Sequence, residues 1–146
     1  MPLLKRPSLK PYRLLEHTAD ISLRVRSSDL KGLFENAASA TFEIMASRIA
    51  KAKVKELLLE IRLQAVNKEE LFVSWLNELI SLSAVKGLVF KRFSIKKMDE
   101  RKLSAVVKGE RIRNYKLDTE IKAATFNGLL IKRGGSGWLA EVTFDV

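Results

Sequence analysis

Two acidic residues at opposite ends of the sequence are of the type that binds a hard cation. Asp20 closes the run Glu16-His17-Thr18-Ala19-Asp20, and Asp145 lies in the final tripeptide Phe144-Asp145-Val146. Together with the terminal carboxylate of Val146 they would supply three oxygen donors, which suit calcium or magnesium better than zinc or copper. Spacing alone does not separate such a site from two unrelated surface aspartates, one in a turn and one at a solvated strand end.

The pattern around each aspartate places it on the polar side of a strand. Ile21, Leu23 and Val25 alternate with polar residues, and so do Val142 and Phe144. Side chains in a strand point alternately to opposite faces, so both aspartates are predicted on a solvent-facing side. The prediction therefore requires these two strands to bring their polar faces together.

Other catalytic chemistry is poorly represented. The sequence has no cysteine, which excludes a disulfide framework, a thiolate zinc site and a cysteine nucleophile. The Gly134 to Gly137 cluster lacks the lysine and the following helix of a phosphate-binding loop. His17 is the only histidine, and a lone histidine is more often a structural hydrogen bonder than a proton-transfer group. Trp75 and the phenylalanines are more often core residues than base-stacking platforms.

The net charge of +10 is compatible with two interpretations. A basic protein favours polyanionic partners, because contacts with phosphates release counterions. A lysine-rich surface is equally typical of heat-adapted proteins. The basic residues concentrate in residues 51–55, 91–97 and 111–116.

Hydrophobic periodicity predicts two helices among strands. Asp29 is a candidate N-cap for a helix reaching Met45, and Asn67 for a second helix that Gly87 ends. Period-two or apolar runs predict strands near residues 20–26, 53–63, 89–97, 103–107, 120–131 and 138–146, the last two joined at the glycine cluster. We therefore expect an α+β fold, a single-domain sandwich of about seven mostly antiparallel strands with two helices packed on a sheet.

The organisation is that of one small domain. Residues 1–11 are predicted to form a basic N-terminal lead-in, and residues 12–146 the folded domain. No internal repeat or low-complexity linker interrupts it. Apolar runs are too short to span a bilayer, and the start lacks the apolar stretch of a secretory signal, so a cytoplasmic location is expected.

Several segments together resemble the archease family over residues 12–146. The matching segments are Leu15-Glu16-His17-Thr18-Ala19-Asp20-Ile21, Leu33-Phe34-Glu35-Asn36-Ala37-Ala38, Trp75-Leu76-Asn77-Glu78-Leu79, Lys86-Gly87-Leu88-Val89-Phe90, Glu120-Ile121-Lys122-Ala123-Ala124-Thr125 and Phe144-Asp145-Val146. Each is only moderately specific, whereas their order and spacing together indicate the family and imply the archease fold.

The resemblance implies an accessory role in tRNA splicing. Archeases promote the guanylylation and multiple turnover of an RtcB-type RNA ligase, and they carry no catalytic residues of their own. The implied partners are that ligase and tRNA within the ligase complex. The implied cofactor is a divalent cation, calcium first, with magnesium or manganese as alternatives. Its ligands would be Asp20, Asp145 and Val146, with His17 and Glu16 in support. A basic RNA-binding module and a chaperone-like protein are the alternatives.

The sequence departs from the family pattern at two places. Many archeases carry an aspartate and a histidine there, whereas residues 111–119 of this sequence form a shorter, more basic stretch that has no histidine. Asn127 stands where a histidine is frequent in archaeal members. These departures leave the fold prediction unchanged and bear on the polar contacts around the cation and at the ligase surface.

Overall fold

A computed structural model describes residues 11–16, 20–49 and 54–146, without the side chains of residues 14–16. The predicted lead-in thus lies outside the described residues except for Pro11. The described residues form two helices, nine strands and a short 3-10 turn at Ile112–Asn114. In chain order the elements are β1 (Tyr12–Glu16), β2 (Asp20–Ser27), α1 (Leu30–Met45), β3 (Ala46–Arg48), β4 (Leu57–Gln64), α2 (Lys68–Lys86), β5 (Leu88–Met98), β6 (Lys102–Arg111), β7 (Tyr115–Leu117), β8 (Ala123–Gly134) and β9 (Gly137–Asp145).

Both helices begin at the residues that the sequence predicts. The Asp29 carboxylate accepts a hydrogen bond from the Gly32 N–H at 2.7 Å, and the Asn67 side chain accepts one from the Glu70 N–H at 2.8 Å. These side chains satisfy N–H groups that have no partner inside the helix. Gly87 ends α2 in the left-handed conformation, with φ of 65°, which glycine adopts without a steric penalty.

The strands form three antiparallel sheets. The largest has the order β1-β2-β9-β8, the second β4-β6-β5, and the two-stranded one pairs β3 with β7. Sequence patterns predicted about seven strands, and the ranges named from them did not include β1, β3 or β7. The last two have three residues each and are too short to show a period of two. The predicted α+β class and antiparallel pairing are confirmed.

The two helices contribute almost half of the buried side chains and contact both larger sheets. Helix α1 packs against β2 and β5, and α2 packs against β8, β5 and β4. Trp75 is fully buried and its indole N–H donates to the Phe34 carbonyl at 2.9 Å, which confirms its core assignment. The core assignment is wrong for Phe126, which is 58% exposed where the pairing of β8 with β9 is interrupted. Within the described residues, no helix is long and apolar enough to cross a membrane.

Candidate metal-binding site

Asp20 and Asp145 lie directly opposite each other at the end of the largest sheet. The antiparallel pairing of β2 with β9 places Asp20 beside Asp145, one step beyond the pair of Ile21 and Phe144. Residues directly opposite on one face have Cβ atoms about 5 Å apart. The structure therefore brings together the two aspartates, 125 residues apart in the sequence, on the polar face that the alternation predicted.

One oxygen of Asp20 has an environment that fits a cation ligand. Asp20 is half-buried, and its Oδ1 is a buried side-chain oxygen without a hydrogen-bond partner in the part of the chain that is described. A buried acceptor without a partner costs about 1–3 kcal/mol, and more if it is charged. A hard cation shared with Asp145 would satisfy this oxygen, so the donor set fits calcium or magnesium.

The neighbouring polar groups on the same face are paired with each other. Ser22 and Thr143 lie next to the aspartates, and their hydroxyls form a hydrogen bond at 3.0 Å. In the following row, the Arg24 guanidinium contacts Glu141 through Nε and Nη2, each at 2.6 Å from Oε2. Arg24 is engaged with Glu141, and among the described residues no ion pair joins Asp20 or Asp145 to a lysine or arginine.

Three strands fix the position of Asp145. On the side away from Asp20, Asp145 pairs with Ala123 of β8, and its carbonyl accepts the Lys122 N–H at 2.8 Å. The central placement of β9 restrains the backbone that carries this carboxylate, although the side chain itself is exposed.

Asn77 of α2 anchors β8 beside the aspartate pair. Its amide accepts the Ala124 N–H at 2.7 Å and donates to the Ala124 carbonyl at 3.0 Å. These two bonds substitute for a neighbouring strand at the edge of the sheet. They connect α2 to β8, the strand that pairs with Asp145 of β9. The sequence analysis missed this role. The available signal was an asparagine inside the Trp75-Leu76-Asn77-Glu78-Leu79 segment, beside the apolar stripe of the helix.

The remaining predicted ligands are not tested by the described structure. His17 and the Glu16 side chain lie outside the described residues. Val146 follows Asp145, and its side chain is 40% exposed. In residues 11–16, 20–49 and 54–146, no group of three or more histidine, cysteine, aspartate or glutamate side chains is arranged to hold a metal. A cation held here would therefore need donors besides the carboxylates of Asp20 and Asp145.

The basic stretch of residues 111–116 is anchored by a separate buried cluster. The Tyr115 hydroxyl donates to Glu110 at 2.8 Å, and Arg48 Nε lies 3.2 Å from the same carboxylate. Burial, followed by the hydrogen bond with Glu110, raises the pKa of the Tyr115 phenol well above its ordinary value. These contacts hold β7 on β3, and both are made to one oxygen, Oε1, of the buried Glu110 carboxylate.

Comparison with known proteins identifies one family. The model of the Archease protein family (MTH1598/TM1083) matches residues 12–146. The archease of Methanosarcina acetivorans is 38% identical over 144 residues, which cover 94% of this chain and 97% of that protein. The archease of Pyrococcus abyssi is 31% identical, again over 144 residues, with 94% and 100% covered.

Two solved structures share the fold. The solution structure of Methanobacterium thermoautotrophicum protein 1598 is similar with a TM-score of 0.74 and 27% identity, covering 94% of this chain and all of that one. The crystal structure of a Thermotoga maritima archease, described there as a possible chaperone, has a TM-score of 0.65, 25% identity and complete coverage of both chains.

Proposed function

We propose, since this chain belongs to the archease family, that it is an accessory protein of an RtcB-type RNA ligase in tRNA splicing. In this proposal it promotes guanylylation of the ligase and repeated turnover, and it meets tRNA within the ligase complex. The observation that carries the proposal is the facing pair of Asp20 and Asp145, with one buried Asp20 oxygen unpartnered among the described residues.

The aspartate pair would hold a divalent cation, calcium first and magnesium or manganese as alternatives. We include Val146 as a third ligand, as the resemblance implies, with His17 and Glu16 in support. A bound divalent ion supplies positive charge that offsets the facing carboxylates. The protein's own part is to fix the ligands: β2 positions Asp20, while β8 and Asn77 restrain the strand that carries Asp145.

The chemical step belongs to the ligase in this proposal. The sequence has no cysteine and no phosphate-binding loop, and Tyr115 and Glu110 are engaged with each other. We therefore expect the chain alone to ligate no RNA and to acquire no covalent nucleotide.

A chaperone-like role is the second candidate. It is favoured by the description of the Thermotoga protein as a possible chaperone, and by the exposed apolar side chains of Val66, Val85 and Phe126. A chaperone of this kind would suppress aggregation of unrelated clients, and its activity would not depend on Asp20.

A ligation assay with the cognate ligase, GTP, divalent metal and broken tRNA tests the proposal. Substoichiometric wild-type protein should raise the guanylylated fraction of the ligase and allow multiple turnover, whereas Asp20→Asn and Asp145→Asn should stimulate at least about tenfold less, the loss expected for a ligand or its immediate support. Glu69→Gln, which neutralises a surface carboxylate in the first turn of α2, is the matched control and should retain stimulation. Full stimulation by both aspartate variants, or a nucleotide adduct on this chain, would reject the proposal.

A further inference from the structure

Strand β5 contains two bulges that increase the positive charge on one face of the three-stranded sheet β4-β6-β5. Its pairing with β6 shifts between Phe90 and Arg92 and again between Ile95 and Lys97. At each shift one extra lysine, Lys91 or Lys96, is inserted. Exposure follows the insertion: Lys91 and Arg92 are both exposed, as are Lys96 and Lys97, while Phe90 and Ile95 are buried. Each bulge thus presents two adjacent cations to solvent where regular alternation presents one.

A helix side chain supports the second bulge. The Ile95 N–H donates to Glu35 Oε2 of α1 at 2.8 Å, in a partly buried position. A bulge interrupts the regular ladder, and an N–H left without a partner there would be costly. Because a carboxylate from the core-forming helix meets this N–H, the bulge is a built feature of the fold, and so is the Lys96–Lys97 pair beside it.

The neighbouring strands extend the same basic face. Lys97 pairs with Ser104 of β6, which pairs on its other side with Arg62 of β4. In the same way Lys108 pairs with Arg92. Lys102 continues the row of outward-facing β6 residues. With strands about 4.8 Å apart and about 3.3 Å per residue, the cations occupy a patch of roughly 10 by 20 Å.

The lysines of this patch outnumber the carboxylates that lie among or beside them, Glu56 and Glu60. Five lysines have no ion pair among the described residues: Lys91, Lys96, Lys97, Lys102 and Lys108. The two arginines each have a carboxylate partner, Arg62 with Glu60 at 3.9 Å and Arg92 with Glu56 at 3.1 Å. Two apolar side chains, Leu58 and Val106, lie between these charged residues. Leu58 is exposed and Val106 is half-buried.

We propose that this lysine face, the outer surface of β4, β6 and β5, binds the phosphate backbone of RNA directly. Interfaces with nucleic acid are strongly positive and polar, whereas protein interfaces are built on a desolvated apolar centre that this face lacks. Stable attachment to a membrane similarly relies on inserted apolar groups. The choice of RNA among polyanions rests on the function proposed above. The contact is independent of base sequence, because lysines on a flat sheet engage phosphates.

The experiment measures binding of the chain alone to a tRNA transcript between 50 and 200 mM salt. Lys96→Gln, Lys97→Gln and Lys108→Gln are combined in one variant. The control combines Lys31→Gln, Lys86→Gln and Lys132→Gln, which remove the same charge from exposed positions on α1, α2 and β8. The face variant should bind at least about tenfold more weakly at 50 mM salt, and its dependence of log K on log salt should be shallower by about 2 to 3, for three lost phosphate contacts. The control should change binding less than about twofold, by loss of general attraction only.

Three results would overturn the inference. They are equal losses in both variants, undetectable binding of tRNA by the wild type at 50 mM salt, and equally tight, lysine-dependent binding to phosphatidylserine vesicles. The ligase assay is run in parallel on the same proteins. If the wild type stimulates the ligase but does not bind tRNA, the lysine face is rejected and the proposed function is retained. If the wild type binds tRNA through these lysines but does not stimulate the ligase, the lysine face is supported and the proposed function is rejected.

Discussion

Without metal, the Asp20→Asn variant should be more stable than the wild type. With metal bound, the variant should be the less stable of the two. In the wild type, Asp20 and Asp145 face each other. At a charge separation of about 5 Å, the spacing typical of Cβ atoms in such a pair, two carboxylates repel each other by about 1–3 kcal/mol, for effective dielectric constants between that of water and that typical of a protein surface. Asparagine keeps the shape of the side chain and removes this repulsion. We therefore expect Asp20→Asn to melt several degrees above wild type in EDTA at low salt, given about 2–4 °C per kcal/mol for a chain of this size.

Metal should reverse the order of the melting temperatures of the wild type and the Asp20→Asn variant. A cation present at about one hundred times its dissociation constant stabilises the folded wild type by about 2.7 kcal/mol. The variant has lost one ligand charge and should gain much less. Melting curves in EDTA and in a calcium series, followed by circular dichroism at 20 mM and 300 mM salt, measure both effects. The EDTA difference should shrink at the higher salt, because screening weakens the repulsion.

Glu141→Gln is the matched control for this reversal. Glu141 lies on the same strand and face as Asp145 and is held by Arg24 at 2.6 Å. Its neutralisation removes an attractive contact, so the variant should be less stable than wild type both with and without calcium. The reasoning about Asp20 is refuted if Asp20→Asn melts below wild type in EDTA, or if wild type shows no stabilisation by calcium, magnesium or manganese.

Two further predictions concern the elements that support the site and the basic stretch. Asn77→Ala removes both hydrogen bonds to Ala124 and should lower the free energy of unfolding by about 1–3 kcal/mol and reduce the stabilisation by metal, whereas loss of stability with full metal response would limit Asn77 to a structural role. Tyr115→Phe tests the raised pKa of the Tyr115 phenol. In the wild type, the raised pKa should contribute its full stabilisation below pH about 10, and the free energy of unfolding should fall above that pH. The reason is that the unfolded chain then releases the phenol proton more readily than the folded chain does. In urea titrations from pH 7 to 11, the free energy of unfolding of the phenylalanine variant should fall less steeply at alkaline pH than that of the wild type. An equally steep fall in both proteins would contradict the raised pKa.

The local elements were readable from the sequence because their signals are local. Asp29 and Asn67 accept bonds from N–H groups three residues ahead, and Gly87 adopts a conformation that glycine allows, so each is encoded within one helical turn. The polar faces of β2 and β9 followed from a period of two. Neither pattern states which strand lies beside which. The family resemblance, and not periodicity, linked Asp20 to Asp145 before the sheet order was known.

The sequence by itself determined the helix ends, the alternation of the main strands and a chemistry without thiolate donors, since these depend on residue type and near neighbours. Only the tertiary structure decided that β9 pairs with β2, so that two aspartates separated by almost the whole chain share one sheet end. It also decided that Phe126 is exposed, that Asn77 closes the edge of β8, and that two bulges turn extra lysines of β5 outward. These features depend on which distant backbone lies alongside, and that is set by packing of the whole core.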